Sequence, residues 1–135
     1  MKVVLDSNIL LVALGKKSRY RPIWTAFIAS KYNIIVSDDV IYEYQEILQQ
    51  HAAPGVEEIV MEIFFESSNV IHQQIYYSWN AIKQDPDDDK FFDISIAGNA
   101  DYLVTNDAHF NVLKQLSFPS VKVINADQFL EILNN

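Results

Sequence analysis

The chain has 135 residues, half of them hydrophobic, which suffices for one ordinary core and is too few for two, so we expect a single domain over residues 1–135. It contains no cysteine, which excludes a disulfide framework, a thiolate metal site and a cysteine nucleophile. The formal net charge of −8 is unfavourable for a protein that coats nucleic acid by neutralising phosphates. Since the sequence shows neither a signal peptide nor an apolar run of membrane-spanning length, we expect a cytoplasmic protein.

Short apolar runs alternate along the chain with stretches of helical period. The strand-like runs are Val3–Leu5, Asn33–Val36, Asn69–His72, Tyr102–Val104 and Val121–Ile124. Helices are predicted at roughly 7–14, 21–31, 38–50, 56–66, 88–99, 107–115 and 126–133. Strands separated by helices need crossover connections, which predicts a parallel sheet. The segment from Gln73 to Gln84 is assigned to neither state.

Two aspartates follow predicted strands. Asp6 comes directly after Val3–Leu5, and Asp107 comes shortly after Tyr102–Val104. Open parallel sheets bind ligands outside the carboxyl ends of their strands, so both side chains should project into one crevice. Carboxylates gathered there repel one another unless a cation or protons lie between them. The pattern indicates a site for a hard divalent cation.

Glu43 lies on the flank of the predicted helix that follows the second strand. Ile41, Tyr44 and Leu48 form the apolar face of this helix, and Glu43 is one position from Tyr44. A carboxylate there could reach the mouth of the crevice. A solvated surface position is the commoner fate of a single helical glutamate.

The acidic segment from Asp85 to Asp93 has more aspartates than helix capping requires. Pro86 marks a turn that enters the helix, and one or two aspartates favour its first turn. Asp89 and Asp93, at i and i+4, share a face and repel each other unless a cation or donor lies between them. This spacing suggests a metal ligand with a supporting carboxylate behind it; the alternative is a solvated acidic loop that starts a helix.

With these motifs in order, the chain resembles the PIN domains, the PilT amino-terminal family of metal-dependent ribonucleases. The resemblance is carried by Asp6-Ser7-Asn8, Glu43, the segment with Asp89, and the run Leu103–Asp107. The order from Ile96 to Asp107 is similar to a bacterial subgroup described as toxin components of toxin–antitoxin pairs. The resemblance implies a three-layer α/β/α sandwich with a central, mostly parallel five-stranded sheet.

The resemblance also implies a site and an activity. The residues matching the catalytic and metal-binding quartet are Asp6, Glu43, Asp89 and Asp107, with Asn8, Asp93 and Thr105 beside them. Asp87 or Asp88 could replace Asp89, because all three are adjacent. The expected cofactor is Mg²⁺ or Mn²⁺, anchored by Asp6, and Glu43 would orient or deprotonate the attacking water. The expected activity is that of an endoribonuclease with an RNA substrate, a cognate antitoxin and a homodimeric state.

Other features have two readings each. The basic residues Lys16, Lys17, Arg19 and Arg21 could contact phosphate beside the crevice or form a solvated turn. His109 could touch substrate, although one face of a short helix is an ordinary place for a histidine. Tyr76, Tyr77 and Trp79 could stack on bases or meet a partner, but a place in the core is the commoner one.

Other functional classes fit less well. A receiver domain needs an acidic pair after its first strand and a lysine after its last, where this chain has Asp6-Ser7-Asn8 and Asn125. An aspartyl phosphohydrolase needs a second aspartate where Asn8 stands. The stronger alternative is a PIN-like fold of weak or no activity that binds RNA or a partner protein.

Overall fold

The computed structural model describes all 135 residues and contains one five-stranded sheet. The strands are β1 Lys2–Leu5, β2 Asn33–Val36, β3 Val70–His72, β4 Tyr102–Val104 and β5 Val123–Ile124. Their order is β3-β2-β1-β4-β5, and every neighbouring pair is parallel. The predicted parallel α/β architecture is confirmed.

Six α-helices connect and follow the strands. They are α1 Ser7–Leu14, α2 Arg21–Ile28, α3 Asp38–His51, α4 Val56–Glu66, α5 Asp89–Ala97 and α6 Ala126–Asn134. Two further segments, Pro86–Asp88 and Ala108–Gln115, are 3₁₀ helices. The helix predicted at roughly 107–115 is present and is a 3₁₀ helix. Helix α2 also ends earlier than predicted, because Ser30 adopts a positive φ of 58°.

Both faces of the sheet are covered. Val3, Val4 and Leu5 are each at most 1% exposed, and Ile34 and Ile35 are fully buried. Successive strand residues point to opposite faces, so burial of both implies a layer of helices on each side. This confirms the three-layer sandwich. None of the helices has the length and apolar character needed to cross a membrane.

The order in which the chain adds strands to the sheet reverses at β1. The chain runs from β1 to β2 and β3 on one side, then returns to place β4 on the other side of β1. Such a reversal leaves a crevice at the carboxyl ends of the two central strands. Helix α3 is fixed at this end because the buried hydroxyl of Tyr44 donates a hydrogen bond to the carbonyl oxygen of Leu5, the last residue of β1. Glu43, one residue earlier, is thereby held at the crevice.

Candidate metal centre

One threonine hydroxyl links the two aspartates that follow β1 and β4. The Asp6 backbone N–H donates to the Val104 carbonyl at 3.0 Å, which joins the ends of both strands. Thr105 Oγ1 donates to Asp6 Oδ2 at 2.8 Å and accepts from the Asp107 backbone N–H at 3.0 Å. The crevice therefore holds both acids at defined positions, as their places in the sequence predict.

Asp6 is costly to ionise in this position. Its pKa is raised to about 6, chiefly by burial; the hydrogen bond from Thr105 lowers the pKa, and the nearby charges of Glu43 and Asp107 contribute to the rise. A backbone hydrogen bond from Ser7 has the opposite effect. Such a carboxylate is stabilised in its charged form by a bound cation.

Glu43 reaches the same cavity and is held by two donors. Its Oε2 accepts a hydrogen bond from Ser7 Oγ, and its Oε1 pairs with Lys90 Nζ at 3.1 Å. Both ionic side chains are mostly buried. Lys90 is the sole basic residue lining this cavity of about 520 Å³, whereas eight lining residues are acidic. The cavity thus has a strong excess of negative charge.

Asp85, Asp87 and Asp88 of the acidic segment line the cavity, whereas Asp89 does not. Burial raises the pKa of Asp88 to about 7, with further contributions from Asp85, Asp6, Asp107 and Glu43. Its Oδ2 is the one buried side-chain nitrogen or oxygen in the structure without a hydrogen-bond partner. The cluster that the structure brings together is therefore Asp6, Glu43, Asp88 and Asp107.

Asp89 and Asp93 share a face of α5, as their spacing predicts, but this face turns away from the cavity. Asp89 Oδ1 accepts from the Ile82 backbone N–H at 2.7 Å, and Asp93 Oδ1 accepts from the Trp79 backbone N–H at 3.1 Å. Burial raises the pKa of Asp93, the Trp79 N–H lowers it, and the Asp89 charge raises it. Backbone donors, and not a cation, lie against these two carboxylates.

The segment from Gln73 to Gln84, which the sequence assigns to neither helix nor strand, lacks regular structure over residues 73–82. Asp89 and Asp93 hold it in place. Tyr76 and Tyr77 are 84% and 64% exposed, so neither is a core residue. Trp79 is partly buried and packs against the core, with the ring of Tyr77 4.5 Å from its own.

The four basic residues after α1 differ in their surroundings. Lys16 and Lys17 are exposed, whereas Arg19 pairs with Asp127 at 2.7 Å and Arg21 donates to the Leu14 carbonyl. None of the four lines the acidic cavity. Their loop adjoins it, because Tyr20 lines a neighbouring cavity together with the exposed Asn8 and with Asp6 and Asp107.

Sequence reasoning missed the contacts of two cavity residues, Ser7 and Lys90, and gave His109 no more than a possible contact with substrate. Ser7 and Lys90 stand beside predicted ligands in the motifs, but nothing in the sequence indicates that both bind Glu43. His109 Nδ1 lies 3.5 Å from Asp107 Oδ1, 3.8 Å from Asp88 Oδ2 and 3.9 Å from Asp85 Oδ2. Its position two residues after Asp107 is the one sequence signal for it.

The donors of this cavity fit a hard divalent cation. Mg²⁺ and Mn²⁺ prefer carboxylate oxygens, and such oxygens converge from Asp6, Asp88 and Asp107. A buried carboxylate oxygen without a donor, such as Asp88 Oδ2, is costly unless a cation or proton neutralises it. The carboxylates of the cavity therefore have the chemistry of a divalent metal centre.

Comparison with protein-family models agrees with the resemblance to PIN domains. The PIN domain family model matches residues 2–109, which includes every residue of the acidic cavity. No curated protein matches the chain by sequence.

Solved structures share the fold. VapBC2 from Rickettsia felis, bound to a DNA fragment from their promoter, superposes with a TM-score of 0.63 at 20% identity, covering 93% of this chain and 98% of that one. FitAcB from Neisseria gonorrhoeae superposes with a TM-score of 0.57 at 14% identity, covering 92% of this chain and 97% of that one. FitAB bound to an IR36 DNA fragment superposes with a TM-score of 0.57 at 12% identity, covering 92% of this chain and 94% of that one.

Proposed function

Because this chain belongs to the PIN domain family, we propose that it is a Mg²⁺- or Mn²⁺-dependent endoribonuclease and the toxin of a toxin–antitoxin pair. The observation that carries this proposal is the convergence of Asp6, Asp88 and Asp107 at the crevice, with Asp88 Oδ2 buried and without a donor. Within the family's acidic quartet, Asp88 takes the place that the sequence suggests for Asp89.

Asp6, Asp88 and Asp107 would hold the cation. A divalent ion bound to carboxylates polarises a phosphate, lowers the pKa of bound water and stabilises a leaving oxygen. Thr105 serves this site by fixing the Asp6 carboxylate and the Asp107 backbone with one hydroxyl. Positioning of this kind matters because ligands must be held in a productive geometry before substrate arrives.

Glu43 would orient the attacking water and accept its proton. Ser7 and Lys90 hold the carboxylate in one position, which reduces the reorganisation it must undergo. In the reaction the water oxygen bonds to phosphorus and the P–O3′ bond breaks. The leaving 3′-oxygen takes a proton, so the products are a 5′-phosphate and a 3′-hydroxyl.

The partners belong to the same proposal. VapBC2 and FitAB are two-protein complexes bound to DNA, in the first case a promoter fragment. We infer that this chain likewise has a cognate antitoxin, acts as a cytoplasmic homodimer, and forms one domain over residues 1–135. Lys16 and Lys17 are the exposed cations beside the site and would contact RNA phosphates.

Cleavage of RNA by the purified protein tests the activity. The antitoxin-free protein should cut single-stranded RNA with Mg²⁺ or Mn²⁺, stop with EDTA, and lose cleavage in Asp6→Ala. Asp89→Asn is the matched control and should keep activity, because an amide oxygen can still accept from Ile82. RNA binding that survives EDTA and Asp6→Ala, with no cleavage of a broad RNA panel, would replace the nuclease with a binding module.

A further inference from the structure

We propose that the protein binds the unpaired bases of single-stranded RNA along a strip of surface that leads away from the acidic crevice. The strip is formed by residues 77–84 and residues 108–118. The inference rests on the proposed function, because the strand bound along the strip is the one that the crevice would cut. It assigns a role to the exposed aromatic residues of the irregular segment.

The two segments of the strip lie side by side from the crevice outward. Next to the crevice, Asp85 Oδ2, directly after the first segment, lies 3.9 Å from His109 Nδ1 in the second. Further along, both segments line a cavity of about 540 Å³. At the far end, the rings of Trp79 and Phe118 are 6.3 Å apart and nearly perpendicular. The strip therefore connects the crevice with a cavity and then with an aromatic cluster.

The cavity in the middle of the strip has the size and lining of a nucleobase site. Pockets for small ligands have volumes of about 300–1,000 Å³ and combine apolar walls with a few polar groups. The apolar wall of this cavity includes Ile82 and Val112. Exposed side-chain amides line the same cavity at Gln84, Asn111 and Gln115. An amide presents a donor and an acceptor together, which suits the hydrogen-bonding edge of an unpaired base.

The aromatic cluster at the far end is open to solvent. Phe118 is 82% exposed and Tyr77 is 64% exposed, and the ring of Tyr77 lies 4.5 Å from that of Trp79. Exposed rings of this kind are the surface on which unpaired bases stack. The backbone beneath them is fixed, because Asp93 accepts a hydrogen bond from the Trp79 N–H. The rings are thus positioned before a strand arrives, which lowers the entropic cost of binding.

The strip is free of acidic residues in a strongly acidic chain. Residues 77–84 and 108–118 contain none of the 18 aspartates and glutamates, whereas Lys83 and Lys114 are both exposed within them. Lysines beside stacking rings are the combination that binds single-stranded nucleic acid. A second copy of the chain packed strip against strip would instead bring like charges together. The charge of the strip therefore favours RNA as its occupant.

Binding of two matched RNA strands to the full chain tests the inference. One is a fluorescein-labelled single strand of mixed sequence, and the other has the same backbone with a central run of abasic residues. Fluorescence anisotropy in EDTA at low salt measures binding without metal-dependent cleavage. Wild type should bind the intact strand about fivefold or more tightly than the abasic strand, because stacking requires bases.

Variants of exposed residues locate the site. Tyr77→Ala, Phe118→Ala and Asn111→Ala should weaken binding of the intact strand and leave the abasic strand unaffected, with a loss of about fivefold or more for each ring. Lys83→Ala should weaken both strands alike, since a lysine contacts phosphate. Phe65→Ala, at a 70% exposed aromatic residue of α4 outside the strip, is the matched control and should change neither.

The outcomes separate the strip from the proposed nuclease. Equal binding of the intact and abasic strands, or binding of neither, overturns the inference even if the protein cleaves RNA with Mg²⁺. A preference for bases that depends on Tyr77 and Phe118, without cleavage in any metal, supports the strip and removes the nuclease. If Phe118→Ala left RNA binding unchanged but converted a dimer to a monomer, or released a bound protein partner, in light scattering, the strip would be a protein interface and the inference would fail.

Discussion

Two adjacent carboxylates, Asp88 and Asp89, have different surroundings. Asp88 faces the cavity with an unpartnered buried oxygen, while Asp89 accepts a backbone hydrogen bond from Ile82. The 3₁₀ helix ends at Asp88 and α5 begins at Asp89. Consecutive helical residues point about 100° apart, so neighbours in the sequence face different parts of the molecule.

This difference predicts that substitutions at Asp88 and Asp89 change the metal-induced stabilisation differently. Mn²⁺ or Mg²⁺ should raise the melting temperature of wild type and of Asp89→Asn, because binding to the folded state stabilises it by mass action. Asp88→Asn should show little or no rise. Thermal unfolding with and without the ions measures the shift. If the metal raised the melting temperature of Asp88→Asn as in wild type but not that of Asp89→Asn, the metal ligand would be Asp89.

The buried Asp6 makes metal-free stability depend on pH. Its pKa is raised to about 6 from 3.8, so its contribution to stability is fully present below the unfolded pKa and is lost as pH rises through 6. Asp6→Asn keeps an oxygen for Thr105 and cannot ionise. We expect the variant to gain up to about 3 kcal/mol over wild type between pH 4 and 7.5.

Urea unfolding in EDTA at both pH values measures this gain. The difference between wild type and Asp6→Asn isolates the one carboxylate from the other acids that titrate. A constant difference across the pH range would show that Asp6 carries no ionisation penalty in the folded protein.

At the scale of elements, α5 holds an irregular segment in place through two carboxylates. Asp89 and Asp93 accept hydrogen bonds from the backbone N–H groups of Ile82 and Trp79, in a segment without regular secondary structure. Buried backbone donors need such acceptors. The segment is thus positioned by long-range contacts and not by local propensity.

Removing one acceptor should loosen this segment without emptying the metal centre. Asp93→Ala leaves the Trp79 N–H without its acceptor and should cost roughly 1–3 kcal/mol of folding stability. Hydrogen exchange at Trp79 should accelerate, while the Mn²⁺-induced rise in melting temperature persists. Unchanged exchange at Trp79, or loss of the metal response, would contradict this role.

The elements also show what sequence can and cannot provide. Apolar runs predict all five strands because a parallel sheet buries both faces, and the acids at the ends of β1 and β4 follow from that topology. The choice of Asp88 over Asp89 depends on where a 3₁₀ turn becomes an α-helix, within the usual error of boundary prediction. The path of residues 73–82 depends on acceptors seven and fourteen residues away, which no local pattern encodes.

At the scale of the whole molecule, charge is unevenly distributed. The net charge is −8, yet Lys16 and Lys17 form an exposed basic pair on the loop whose Tyr20 adjoins the acidic crevice. Arg19, in the same loop, and Arg21, the first residue of α2, have partners within the protein. A phosphodiester strand would approach along the unpaired cations, and bound metal would offset the negative crevice.

Replacing Lys16 and Lys17 with Ala should weaken RNA binding and flatten its salt dependence. Fewer phosphate contacts release fewer counterions, so the slope of log affinity against log salt should fall by about 1–2. Fluorescence titrations at several salt concentrations measure it. The metal-induced rise in melting temperature should stay as in wild type; a slope equal to that of wild type would place the RNA elsewhere.

The central claim is that Asp6, Asp88 and Asp107 jointly bind a divalent cation at the carboxyl ends of β1 and β4. Anomalous diffraction from a crystal grown with Mn²⁺ tests it most directly, because manganese is located without reference to activity. The account predicts an anomalous peak in direct contact with carboxylate oxygens of Asp6 and Asp88. A peak on Asp89 or elsewhere, with none at the crevice under saturating Mn²⁺, would contradict it.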